Sequence, residues 1–249
     1  MNHKVLVRCI KTEFNLQSIV PWGRTLQEYR DMFLLDKQDL QQKILGCGDG
    51  PASFNVEARA LGADVTSIDP TYQFTKEELA RRIDEVADEV ITQVAQNQEG
   101  FVWKNIRDID DLYSTRMGAM RQFLADYKEG REQGYYLSEM LPQLSFRDKS
   151  FDLALSSHFL FLYSEHLDYE FHLKSILEML RVAREVRIFP LLTLKNERSP
   201  YVERIIEELD RLGYDSQVIK TDYEFQRGAN EMLRIEDMEI DKNTKPTNC

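Results

Sequence analysis

The chain reads as an α/β fold, a seven-stranded doubly wound sheet with an antiparallel last strand and a helical insertion, on three observations. From Lys43 onward, short apolar runs alternate with stretches of helical period, the pattern of parallel crossovers. The first run ends in Gly46, Cys47, Gly48, Asp49 and Gly50, a turn of the kind that joins a strand to a helix. The segment 75–133 is about twice the ~30 residues of a whole crossover unit, which marks an insertion.

The elements follow in order. A first strand covers Lys43 to Cys47, and Pro51, which needs no amide partner, opens a helix that runs to Leu61 and stops at Gly62. A second strand, Asp64 to Ile68, ends at Asp69 and Pro70, because proline cannot donate to a central ladder. Thr75 and Glu78 make a capping box ahead of Leu79, Ile83, Val86, Val90 and Val94, an amphipathic helix reaching Gly100, and a second insertion helix spans roughly 108–127. A weak strand at 133–137 precedes a stronger one, Phe151 to Ser157, whose near-continuous apolar run suits burial on both faces. Tyr169, Leu173, Ile176, Leu177 and Leu180 form one face of the next helix, with Glu170 and Lys174 paired opposite. Glu185 to Leu194 is the fifth strand. Ser199 as N-cap, Pro200, then Val202, Ile205, Ile206, Leu209, Leu212 and Gly213 define a further helix. Strands at 216–224 and 231–236 close the sheet as a hairpin. Residues 1–40 form an N-terminal helical arm, 41–238 the main domain, and the polar stretch 239–249 a disordered tail.

Composition excludes several function classes. Lys and Arg number 32 against 43 Asp and Glu, a net charge of -11 that repels phosphate backbones and anionic lipid, so general nucleic-acid binding is disfavoured. No apolar run approaches the ~18 residues of a membrane span. Cys9, Cys47 and Cys249 are odd in number and widely spaced, which suits neither a zinc knuckle nor a disulfide framework; a reducing cytoplasm is the expected compartment.

The glycine loop is the place to look for chemistry, since ligands of doubly wound sheets sit beyond the carboxyl ends of the strands. Gly46 and Gly48 let the chain turn tightly and a ligand touch the backbone, and the helix from Pro51 would offer free amides. The dinucleotide spacing G-x-G-x-x-G fails because Pro51 falls on its last position, and no lysine follows as in a kinase-type phosphate loop. Asp49 would repel a pyrophosphate, so a ligand with a positive centre fits better. Asp69, at the end of the second strand, lies where an acidic side chain accepts both hydroxyls of a ribose.

Leu45 to Gly50, Asp69 and the run Leu144 to Asp152 together resemble the class I S-adenosylmethionine-dependent methyltransferases, over roughly residues 40–238. The stretches Cys47 to Asn55, Ser157 to Tyr163 and Phe225 to Gly228 are similar to an uncharacterised bacterial branch of that superfamily. The resemblance implies a Rossmann-like sheet and S-adenosylmethionine as cofactor. It assigns Gly46, Cys47, Gly48, Asp49, Gly50, Asp69, Pro70, Glu139, Ser156 and Ser157 to cofactor binding. Two positions depart from the pattern: Ile44 stands where an acidic residue is common, and Met140 where an adenine-contacting aspartate is common, with Glu139 beside it as a substitute.

His158, at the mouth of the expected cleft, is the candidate catalytic base. Arg24, Tyr163, Gln226 and Arg227 are candidate substrate-binding residues, Arg227 being suited to a carboxylate or phosphate. Trp22, Tyr29 and Phe33 in the arm, and Trp103 in the insertion, are expected either to cover the site or to form packing or homodimer surface. His166, Glu170 and His172 read as surface contacts, so no metal is expected, and Cys47 as a small packed group. The expected acceptor is a small molecule. The alternative is a non-catalytic protein that binds the nucleoside and keeps the fold.

Overall fold

The computed structural model describes residues 20–237. The first half of the expected arm, the expected tail, Cys9 and Cys249 lie outside the described residues. Helix α1 (Leu26–Phe33) opens the fold, followed by β1 (Lys43–Cys47), α2 (Phe54–Ala60) and β2 (Asp64–Ile68). The insertion is α3 (Lys76–Gln96) and α4 (Ile109–Glu132), and the chain returns as β3 (Tyr136–Leu137). Then come β4 (Phe151–Ser157), α5 (Tyr169–Val182), β5 (Ala183–Phe189), α6 (Val202–Arg211), β6 (Tyr214–Lys220) and β7 (Glu231–Asp237).

The seven strands lie in the order β3-β2-β1-β4-β5-β7-β6. All neighbours are parallel except β7, which runs antiparallel to both β5 and β6. This is the seven-stranded doubly wound, Rossmann-like sheet with an antiparallel last strand that the sequence predicts. Strand order reverses between β1 and β4, the switch point beyond whose carboxyl ends ligands of such sheets bind, and the glycine loop and Ser157 follow from these two strands.

The alternation of side chains along β1 and β4 builds two cores. Ile44, Leu153 and Leu155 face α1 and α2, packing with Tyr29, Met32, Phe33, Phe54 and Phe189. Leu45, Cys47 and Ala154 face α5 and α6, packing with Ile176, Met179, Leu180, Ile205 and Leu209. The described part of the arm therefore belongs to the main core: Tyr29 stacks on Phe54 with ring centroids 4.0 Å apart. The insertion has cores of its own, one of Tyr72, Leu79, Phe123, Tyr127 and Tyr136, the other of Ile83, Ala87, Met117 and Met120 with Trp22 against it.

Local chemistry moved several boundaries. The capping box at Thr75 and Glu78 forms as expected. By contrast, α2 begins at Phe54 rather than Pro51, because the amides of Ser53 and Phe54 both donate to the Arg24 carbonyl and hold 51–53 as a turn. Helix α4 runs to Glu132, five residues past its expected end, because Gly130 lets the helix lie against the Tyr136 ring; a Cβ there would sit 2.4 Å from it. That leaves only two residues for β3. Strand β5 stops at Phe189 because Pro190 has no amide to donate, and Leu192 pairs locally with Arg198 instead. Ser199 does not cap α6: its hydroxyl contacts Ser164 Oγ at 2.7 Å and accepts from the Tyr201 amide, so helical geometry starts at Val202. Strand β6 starts at Tyr214 and ends at Lys220, earlier than expected, since Thr221 already bonds Asn230 in the hairpin.

Candidate functional site

The glycine loop and Asp69 form one hydrogen-bonded unit. Gly48 and Gly50 have φ of 74° and 53°, conformations that cost an L side chain about 1–2 kcal/mol. Gly46 is needed for space instead, since a Cβ there would lie 1.8 Å from Asp49 Oδ2. The Gly50 amide donates to Asp69 Oδ2 at 2.9 Å, and the Thr71 amide to Asp69 Oδ1 at 2.8 Å. Each carboxylate oxygen thus keeps a further lone pair for a ligand hydroxyl. Tyr72 fixes the loop from the other side, its hydroxyl donating to the Gly50 carbonyl at 2.7 Å. Gly48, Gly50 and Pro70 remain half-buried, so the surface they line is open to a ligand.

Asp49 turns under the loop. Tyr29 donates to its Oδ1 at 2.7 Å and Ser67 to its Oδ2 at 2.5 Å, while Asn55 donates to Ser67 Oγ at 3.0 Å. Burial pushes the Asp49 carboxyl up to about 7, against the two hydroxyl bonds that favour its charge, and nearby Asp69 raises it further. Burial also raises Asp69. Ile44, at the position where an acid is common, is wholly core, so Asp49 is the carboxylate beneath this loop. The free helix amides expected beside the loop do not exist as such, since those of Ser53 and Phe54 are bonded to Arg24.

The tip of β4 faces this unit. Ser157 Oγ contacts His158 Nδ1 at 2.9 Å. His158 has φ of 53°, a strained backbone for a residue with a Cβ. Burial, then the cations Arg24 and Arg116, hold its imidazole well below the usual range, so the ring is neutral at pH 7. Phe159 leans over the loop, its ring and Cβ 3.0–3.2 Å from where a Gly48 Cβ would be. Burial raises the Tyr163 phenol, with opposing influences from Arg24 and Asp69. Ser156 Oγ is buried and has no hydrogen-bond partner among the described residues.

Arg24 lies in a buried polar cluster that the sequence reading missed. Arg24 Nη1 donates to the Trp22 carbonyl at 2.8 Å, and its Nε is 3.9 Å from Glu28 Oε1. Arg116, in α4 and without surface exposure, donates to Glu28 Oε2 at 2.6 Å. Tyr223 donates to Glu28 Oε1 at 3.0 Å. These cations and bonds hold the Glu28 carboxyl down at about 2 despite its burial. A signal was present for Arg116: it interrupts the row Leu112, Arg116, Met120, which otherwise lies on the buried face of its helix.

Other candidates stand elsewhere or are engaged. Glu139 accepts from the Ser145 amide and hydroxyl and closes a turn. Gln226 donates to the Thr193 carbonyl, and Arg227 to the carbonyls of Glu99 and Phe101. Arg227 ties the β6–β7 hairpin to the segment between α3 and α4, and Gln226 ties it to the loop after β5, roles not read from the sequence. Cys47 is buried, and its thiol is pushed up by that burial. His172 is not a surface residue: it is buried between the Asp168 and Leu160 carbonyls and stacks on Phe161. Glu170 pairs with Lys174 at 2.7 Å as expected. Among the described residues no helix is long and apolar enough to cross a membrane.

Among solved structures, the chain is similar to magnesium protoporphyrin IX methyltransferase from Synechocystis PCC 6803 with bound S-adenosylmethionine, at 15% identity and a TM-score of 0.47, covering 95% of this chain and 98% of that one. It is also similar to a possible histamine N-methyltransferase from Thermotoga maritima, at 12% identity and a TM-score of 0.40, over 93% of each chain. No family model matches. An uncharacterised protein of Methanocaldococcus jannaschii, MJ0045, is 35% identical over 222 residues, which cover 89% of this chain and 97% of the relative. That relative is archaeal, so it does not support the bacterial placement suggested by the motifs. Identity at this level along nearly the whole of both chains shows that the chain belongs to the family of that archaeal protein.

Proposed function

We propose that the protein is an S-adenosylmethionine-dependent methyltransferase acting on a small-molecule acceptor in a reducing cytoplasm. The observation that carries this reading is the bond between the Gly50 amide and Asp69, which locks a positive-φ glycine turn to a buried carboxylate at the switch point of the sheet. The cradle fits an adenosyl sulfonium. The glycines remove the Cβ atoms that would fill it, Asp69 keeps lone pairs for two ribose hydroxyls, and Asp49 braces the loop from beneath through Tyr29 and Ser67.

When bound, the cofactor supplies a methyl group on a sulfur already activated for displacement. The chain's own residues supply position. Gly46 to Gly50 let the backbone approach, Asp69 orients the sugar, and Ser157 fixes the His158 ring at the end of β4. His158, neutral at pH 7, stands ready to take the proton released by an attacking oxygen or nitrogen. Calorimetric titration with S-adenosylmethionine tests the reading. The wild type binds, and Asp69→Ala weakens binding by about tenfold or more, as expected when a charged hydrogen-bond acceptor is lost. No binding by the wild type, or unchanged affinity in the variant, contradicts it.

The low basicity of His158 favours one alternative, a nucleoside-binding protein without turnover. Cofactor binding with no transfer of labelled methyl groups to any fraction of a cell extract selects that alternative.

A further inference from the structure

The two guanidinium groups beside the cleft are paired incompletely. Arg116 Nε, Arg116 Nη2 and Arg24 Nε are buried and lack hydrogen-bond partners among the described residues. Arg116 is wholly buried, and Glu28 is the single carboxylate among the described residues placed against both cations, at 2.6 Å and 3.9 Å. Unsatisfied donors on a buried cation are unfavourable, and one carboxylate against two guanidiniums leaves a positive charge unanswered. Buried donors of this kind call for a partner, which a bound anion or ordered water supplies.

The position of the cluster limits what that ligand is. His158 lies 5.5 Å from the Phe189 ring and 6.5 Å from the Tyr223 ring, and Tyr223 bonds Glu28, so the cluster adjoins the ends of β4 and β5. Both cations also lower the His158 imidazole, while the Arg24 carbonyl accepts from the Ser53 and Phe54 amides in the turn that follows the glycine loop. Through Glu28 and Tyr223 the guanidinium cluster adjoins the candidate base.

We infer that Arg24 and Arg116 form an anion-recognition site for the methyl acceptor, and that the acceptor is a carboxylate presented beside His158 and Tyr223. The site rests on the methyltransferase reading for its place in the reaction, but its affinity for an anion does not require turnover. A planar carboxylate accepts from two N–H groups at once and would neutralise the cluster. It would also hold the acceptor's separate attacking hydroxyl or amine, which releases a proton on methylation, next to the His158 ring.

Benzoate and its neutral counterpart benzamide are the probes, titrated calorimetrically into wild-type protein saturated with S-adenosylhomocysteine. The wild type is expected to bind benzoate about tenfold or more tightly than benzamide, as charge-assisted bonds require. Arg24→Gln should lose that preference while its affinity for S-adenosylhomocysteine stays within about threefold, below the loss of one charged bond. Equal affinity for the two probes in the wild type overturns the inference without any variant. Loss of S-adenosylhomocysteine affinity in Arg24→Gln, with the benzoate preference intact, also overturns it and assigns the arginine to the cofactor's own carboxylate. Arg24→Lys, which keeps the charge, should restore part of the benzoate preference. If S-adenosylhomocysteine does not bind the wild type, the methyltransferase reading fails, while benzoate titrated alone still decides the anion site.

Discussion

At the scale of single residues, three glycines and two aspartates set the geometry of the cleft. Gly48 combines a left-handed conformation with a Phe159 ring already in contact with its open side. Gly48→Ala is therefore expected to destabilise the fold by about 2 kcal/mol, lowering the melting temperature by ~4–8 °C. A scanning calorimetry trace unchanged from the wild type would show that the loop is not held as described. The glycines and Asp69 were legible because their chemistry is local in sequence: residue type, spacing and the strand end sufficed. Glu28, Arg116 and Tyr223 come from three separate stretches and meet only after folding. The partners of Arg227 were not legible for the same reason, since the carbonyls that accept from it lie in the insertion.

Secondary elements show where periodicity decides the fold and where tertiary contacts overrule it. The long amphipathic helices and the fully buried β4 were readable from apolar spacing. The starts of α2 and α6 were not, because the Arg24 carbonyl and the Ser164 hydroxyl capture groups that a helix would otherwise use. Helices α1 and α4 are joined through the Glu28–Arg116 pair, with Arg59–Asp126 and the Tyr127 hydroxyl, which donates to the Tyr72 carbonyl at 3.0 Å, anchoring α4 further along. Removing one partner of a buried pair leaves an uncompensated charge, and Glu28→Gln would leave two guanidiniums facing each other. The expected loss is about 3–5 kcal/mol in urea unfolding. A loss below about 1 kcal/mol, the level of an exposed ion pair, would mean that water reaches the cluster.

Across the whole molecule, buried ionisable groups give stability a defined dependence on pH. Asp49 titrates near 7 in the folded protein, above the unfolded value near 3.9, so folding favours its protonated form. Its contribution is present below pH 4 and is lost as pH rises to about 7, by up to about 4 kcal/mol. Asp69 shifts in the same direction. Glu28 acts oppositely: its contribution is present above about pH 4.5 and is lost as pH falls toward about 2. His158 and His172, both lowered, also act oppositely, losing stability as pH falls below about 6.5. The stability of wild type relative to Asp49→Asn isolates the Asp49 component and should decline between pH 4 and pH 7. A difference independent of pH would show that Asp49 is already charged in the folded state.

Asp49, Asp69 and His158 stand beyond the carboxyl ends of β1, β2 and β4, and the account depends on what binds there. A crystal structure of the protein grown with S-adenosylhomocysteine tests this most directly. The account predicts the ribose hydroxyls within hydrogen-bond distance of both Asp69 oxygens, the sulfur facing His158, and the backbone of Gly48 against the ligand. A nucleoside bound elsewhere, or a crevice filled by the Phe159 ring with no ligand beside Asp69, would contradict it.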